Sequence, residues 1–225
     1  MSTERRPRRQ PWLFHLCRPF LFLAAHYHRL EVAGIEHVPA RGAALLLVKH
    51  RATRDSLLLS WILYHHAGRM GYYLVKSKSP LYNRFVGALG GIGVIRPKDV
   101  LRLPDRERRR TILQRARRLN RQALDYVGEL YTQGELVVIY PEGMFYPTRL
   151  GPLHLGALRQ IRDLSPQCEI PIVPVGIEYE SLHRPRARAY VRFGAPLSIA
   201  DFPELSALVD LIKEQLRTLS GLMDS

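Results

Sequence analysis

Residues 44–66 read ALLLVKHRATRDSLLLSWILYHH, and the two halves of this stretch require different backbones. Ala44-Leu45-Leu46-Leu47-Val48 is a continuous apolar run, too short for a helix and without the alternation of a strand that has one face in water. It reads as a strand buried on both faces. Asp55 to His66 reads as a helix, and the polar residues from Lys49 to Arg54 form the turn between them. Outward from this unit the pattern recurs. Tyr72-Tyr73-Leu74-Val75 is a second strand, and Ser79-Pro80 supplies a cap and a first-turn proline for a helix ending near Gly90-Gly91. Ile92 to Ile95 is a third strand, and a long helix runs from Asp105 to Tyr131. Leu136 to Tyr140 makes a fourth strand, His154 to Leu164 a helix, Ile170 to Ile177 a fifth strand and Ala189 to Phe193 a sixth. Pro203 opens a closing amphipathic helix through Leu219. Buried strands separated by helices predict an α/β fold: a single domain with a mostly parallel central sheet flanked by helices. In such sheets the functional groups gather at the carboxyl ends of the strands.

The chain's 225 residues suffice for one substantial core, and a formal net charge of +14 suits an anionic partner surface. Cys17 and Cys168 make neither a disulfide framework nor a metal pair, and both are expected as reduced, buried thiols. No apolar stretch reaches the roughly 18 residues of a spanning helix. Pro11 to Ala25 is interrupted by His15, Arg18 and Pro19, and His26-Tyr27-His28 follows where a signal peptide would need small residues. Two readings fit this segment. One is an interfacial helix, with Arg5, Arg6, Arg8 and Arg9 for anionic headgroups and Trp12, Phe14, Phe20 and Phe22 for the acyl boundary. The other is an apolar helix packed on the core. The organisation expected is therefore a basic, hydrophobic membrane-associating segment over 1–29 and one domain over 30–225. The helix from 105 carries eight arginines, while Ile112, Leu113, Ala116, Leu119, Ala123, Leu124 and Val127 mark a core-facing stripe, so the arginines read as a solvated face. Without aromatic interleaving or a recognised motif, nucleic acid is not the expected partner.

Four segments carry chemistry. His50 follows the first strand and Asp55 opens the next helix. The spacing alone is unspecific, and Asp55 as a helix cap (with Thr53 as its rival) is the plain alternative. Placement at a strand end brings both side chains to one rim, where an imidazole can take a hydroxyl proton while a carboxylate fixes its tautomer. GGIGVIR (90–96) delivers Arg96 to the sheet edge, suited to a phosphate or carboxylate. YPEG (140–143) sets Glu142 at a glycine turn, and IPIVPVGI (170–177) is a strand with internal prolines that can line a groove.

In this order, KHRATRD, GGIGVIR, YPEG and IVPVGI resemble the glycerophospholipid acyltransferase family, the 1-acyl-sn-glycerol-3-phosphate acyltransferase-like enzymes. The likeness extends from about Leu30 to Leu197. The resemblance implies O-acyl transfer from acyl-CoA or acyl carrier protein to a lysophospholipid hydroxyl, most simply 1-acyl-sn-glycerol-3-phosphate, at the cytoplasmic face of a membrane. It implies no metal and no cofactor beyond the acyl donor. His50 would be the general base and Asp55 its orienting partner. Arg96 would bind the acceptor's anionic group, with Glu142 and Gly143 shaping that site and Lys76 adding positive charge. Two departures stand out. Lys49 occupies the usual asparagine position, and Met144-Phe145-Tyr146 replaces Thr-Arg-Ser after the glycine, leaving Arg149 to restore a cation from further along. An aminolipid or glycolipid acceptor keeps the same chemistry, and a non-catalytic membrane-binding protein on the same fold is the alternative of another class.

Overall fold

The computed structural model describes residues 8–96, 99–100 and 105–222. Its frame is a seven-stranded sheet. In chain order the strands are β1 (Arg29–Ala33), β2 (Ala44–Val48), β3 (Tyr72–Lys76), β4 (Gly91–Val94), β5 (Leu136–Ile139), β6 (Ile172–Tyr179) and β7 (Arg188–Phe193). They lie side by side as β1-β7-β6-β2-β5-β3-β4. All neighbouring pairs are parallel except β6 with β7. The carboxyl ends of β2 to β6 therefore share one rim, and β1 enters the sheet from that rim.

β2 sits near the middle, and every one of its residues is buried. Its side chains divide by parity. Leu46 and Val48 face a layer built from α1 (Pro11–His26) and α2 (Asp55–His66), with Leu58, Leu59 and Ile62 opposite. Leu45 and Leu47 face α4 (Arg106–Thr132), α5 (Gly156–Leu164) and α6 (Leu205–Leu219), against Val127, Leu130, Ile161 and Leu208. This is why the run shows no alternation: both faces are covered. Each of these leucines contributes roughly 1.5–3 kcal/mol by leaving water. Gly176 allows α6 to cross β6 closely, because a Cβ there would stand 2.2 Å from the Leu219 carbonyl carbon.

Helix starts follow the local chemistry. Ser79 caps α3 (Pro80–Ala88), its hydroxyl accepting from Tyr82 N, and Asp105 caps α4 by accepting from the amides of Glu107 and Arg108. Ala116, Ala123 and Val127 form the buried stripe of α4, while Arg106, Arg108, Arg110, Arg115, Arg117, Arg118 and Arg121 are exposed.

Three expectations need correction. The sheet has a strand more than the six read from apolar runs, because β1 is an edge strand of alternating exposure. The closing helix starts at Leu205, two residues after Pro203. Cys17 and Cys168 are free but only half-buried, each lying beside rather than within a packed layer.

Of the two readings of the N-terminal segment, packing on the core is seen for one face of α1. Phe14, Leu21 and Ala25 bury one face of α1, with Phe14 against Tyr64 of α2. Trp12, Leu16, Phe20 and Leu23, at helical spacing, are 61–69 % exposed. No helix among the described residues is long and apolar enough to cross a membrane.

Candidate active site

Asp55 is wholly buried at the first turn of α2, and four donors converge on its carboxylate. Oδ2 accepts from His50 Nδ1 at 2.8 Å, Arg51 N at 2.7 Å and Ala52 N at 2.8 Å. Oδ1 accepts from the Tyr179 hydroxyl at 2.7 Å. Asp55 therefore does not cap α2: it holds amides of the turn before the helix, and it holds the imidazole with the same oxygen. Because a carboxylate only accepts, Nδ1 of His50 is the protonated nitrogen and Nε2 is left with a lone pair. The ring stacks on Tyr140 at 4.0 Å between centroids and meets Phe145, tilted by 54°, at 4.2 Å. Only 15 % of the side chain remains exposed.

Lys49 and Glu142 form the floor beneath this dyad. Both side chains are fully buried, with Nζ 2.9 Å from Oε2. The ammonium also donates to Tyr146 O at 2.7 Å and His50 O at 3.2 Å, which matches its three donors to three acceptors. Glu142 accepts from His50 N through Oε2 and from Gly151 N through Oε1. Burial pulls the Lys49 ammonium below its ordinary pKa, against the opposing pull of Glu142. Glu142 therefore shapes the site from within, by fixing the backbone of His50 and of the loop after β5. It presents no carboxylate to a substrate. Gly143 turns that loop with φ +63°, and its carbonyl accepts from Arg96 Nη1 at 3.2 Å.

Arg96 leaves the end of β4, where Asn120 of α4 grips the backbone of Ile95 at both N and O. Its guanidinium forks onto Asp99, Nε to Oδ2 at 2.8 Å and Nη2 to Oδ1 at 3.1 Å. Lys76, from the end of β3, reaches the same carboxylate at 3.1 Å. The Arg96 fork holds the Asp99 carboxyl below its ordinary pKa, with Lys76 assisting. Arg149 stands apart, exposed, with its guanidinium 5.5 Å from the Tyr146 ring centre.

The structure thus brings His50, Asp55, Glu142, Gly143, Arg96 and Lys76 to one rim and leaves Arg149 at its margin. Three participants escaped the sequence reading. Tyr179 has no local signal, although a tyrosine closing a buried strand needs a partner for its hydroxyl. Burial drives its phenol far above the ordinary pKa, and the Asp55 charge adds to this, so it stays a donor. Tyr140 supports the imidazole and receives a bond from the Ser56 hydroxyl. His28, buried beside Tyr179, donates from Nδ1 to Ala187 O and accepts at Nε2 from Arg54. No group of three His, Cys, Asp or Glu residues among those described is placed to hold a metal.

A histidine backed by a buried aspartate, at the carboxyl rim of a parallel α/β sheet, can serve as the acid–base centre of a group-transfer site. The family model for the Acyltransferase domain matches residues 29–178, and the chain belongs to that family. An uncharacterized acyltransferase of Schizosaccharomyces pombe is 34% identical over 99 residues. That match covers 41% of this chain and only 14% of the relative, so the chain spans a small part of that protein. The crystal structure of the 1-acyl-sn-glycerophosphate (LPA) acyltransferase PlsC from Thermotoga maritima shares the fold. It superposes with a TM-score of 0.63 at 17% identity, covering 94% of this chain and 79% of that one.

Proposed function

We propose that the chain is an O-acyltransferase that moves a fatty acyl group from a thioester carrier, acyl-CoA or acyl carrier protein, to a lysophospholipid hydroxyl. Its first candidate acceptor is 1-acyl-sn-glycerol-3-phosphate. The observation that carries this reading is the His50–Asp55 contact of 2.8 Å, which leaves Nε2 unprotonated on the rim. In this mechanism Nε2 takes the acceptor's hydroxyl proton as that oxygen attacks the thioester carbonyl. Asp55 stabilises the imidazolium, the tetrahedral adduct collapses with loss of the thiolate, and the proton passes from His50 to the sulfur. A thiol pKa near 8.5 makes the thiolate a competent leaving group. Arg96 and Lys76 would serve the anionic part of the acceptor.

The exposed stripe of Trp12, Leu16, Phe20 and Leu23 supports docking on a membrane, and the net charge of +14 supports an anionic one. On this reading the protein is peripheral, at the cytoplasmic face of the membrane. The test is thiol release from acyl-CoA by purified protein with a panel of lysophospholipids, beside His50→Ala. Acceptor-dependent release that the variant lacks is the expected result. Release that survives in His50→Ala refutes the mechanism, and no release from acyl-CoA or acyl carrier protein with any acceptor refutes the activity.

A further inference from the structure

Arg96 is not offered to solvent as a bare cation. Of its five N–H donors, two form the fork onto Asp99 and a third goes to Gly143 O. Lys76 closes on the same Asp99 oxygen. Lys76 arrives from the end of β3 and Arg96 from the residue pair beyond β4, while Asp99 N donates to Arg96 O. A carboxylate held by a guanidinium fork and an ammonium takes the geometry in which those cations would receive a phosphate. The cluster is joined to the catalytic dyad by a short chain of contacts. Arg96 touches Gly143 O, and the neighbouring Glu142 holds His50 N. With side-chain exposures of 26 % for Arg96, 23 % for Asp99 and 43 % for Lys76, the cluster is within reach of a ligand on the rim.

We propose that Asp99 determines acceptor headgroup selectivity by occupying the anion-binding face of Arg96 and Lys76. This rests on the acyltransferase reading for its substrate and on the geometry alone for its binding behaviour. A phosphomonoester must displace Asp99 or share the two cations with it, and its double negative charge meets the carboxylate's repulsion. An acceptor whose headgroup is an uncharged hydroxyl meets no such competition. Asp99 thereby narrows the advantage that two converging cations would otherwise give to phosphate.

The experiment compares wild type, Asp99→Asn and Asp99→Glu with two acceptors, 1-acylglycerol 3-phosphate and the uncharged monoacylglycerol. Removing one charge at contact distance shifts the ratio of their KM values by about tenfold toward the phosphomonoester in Asp99→Asn. Asp99→Glu, which keeps the charge, stays near the wild-type ratio. An unchanged ratio in Asp99→Asn, a shift the other way, or an equal shift in Asp99→Glu overturns the proposal. Calorimetric titration of the same proteins with sn-glycerol 3-phosphate separates this from the acyltransferase reading. Binding about tenfold tighter in Asp99→Asn supports the proposal even where no turnover is seen, and equal or weaker binding sinks it.

Discussion

Replacing Lys49 by methionine keeps most of the side-chain volume and removes one charge from beneath His50. Glu142 is fully buried, so its carboxylate cannot turn to water, and it loses the one charged donor of its three. The carbonyls of Tyr146 and His50 lose a donor in the same step. Breaking one side of a buried ion pair costs about 3–5 kcal/mol. For a chain of this size that corresponds to a fall in Tm of about 6–20 °C. The companion variant clarifies the arrangement. In an isolated pair, replacing both partners by apolar groups often restores stability. Here Glu142 also accepts from the amides of His50 and Gly151, so Lys49→Met with Glu142→Leu strands two half-buried N–H groups. The double variant is expected to stay at least about 2 kcal/mol below wild type. Urea denaturation followed by circular dichroism measures both. A Lys49→Met protein within about 1 kcal/mol of wild type would show that no uncompensated carboxylate is left behind, and the reasoning would be wrong.

Three further expectations can be checked independently. Tyr179→Phe removes one of four donors to Asp55 and should lower stability by about 1.5–3 kcal/mol. Its loss of kcat should be far smaller than that of Asp55→Asn, about 10⁴-fold by analogy with other His–Asp pairs; equal losses would contradict the shared grip on Asp55. His28 is held below its ordinary pKa of 6.5 mainly by burial, with Arg54 adding to this and the Ala187 carbonyl opposing it. The unfolded chain therefore binds the extra proton first, and the contribution of His28 is complete above pH 6.5 and lost as pH falls toward its folded value. Thermal melts between pH 7 and pH 5 should show a shallower decline in His28→Gln than in wild type, and parallel curves would count against it. Finally, Trp12→Ser with Phe20→Ser should weaken binding to anionic vesicles by about tenfold or more while leaving the melting curve in place; undiminished binding would remove the exposed stripe from membrane docking.

What could be read in advance depended on whether a residue's partner lies near it in the chain. The helix from Asp55 to His66 has the bounds that its pattern implies, because a polar turn precedes it and its apolar residues recur locally. β1 was overlooked because an edge strand of mixed polarity carries no buried run. His50 and Asp55 are five residues apart, and their meeting follows from a strand end and a helix start. Tyr179 reaches the same carboxylate from 124 residues away, a pairing that only sheet order creates. Lys49 stood out as an unusual residue, yet its depth depends on the loop carrying Tyr146 folding over it. Glu142 was expected to shape the acceptor site, and its carboxylate faces inward. Its three donors come from β2's exit and from Gly151, segments that the sequence alone does not bring together.

The two aromatic rings on His50 bear on fidelity. Water is itself a hydroxyl, and a base able to activate a lipid alcohol can also turn the thioester into free fatty acid. Tyr140 stacks on the imidazole, Phe145 meets it at a tilt, and 15 % of the side chain is left open, so only a narrow edge admits approach. On the proposed mechanism, that narrow edge favours an alcohol anchored by the rest of its lipid over a passing solvent molecule. Phe145, one of the two rings, is then a guard against hydrolysis of the donor.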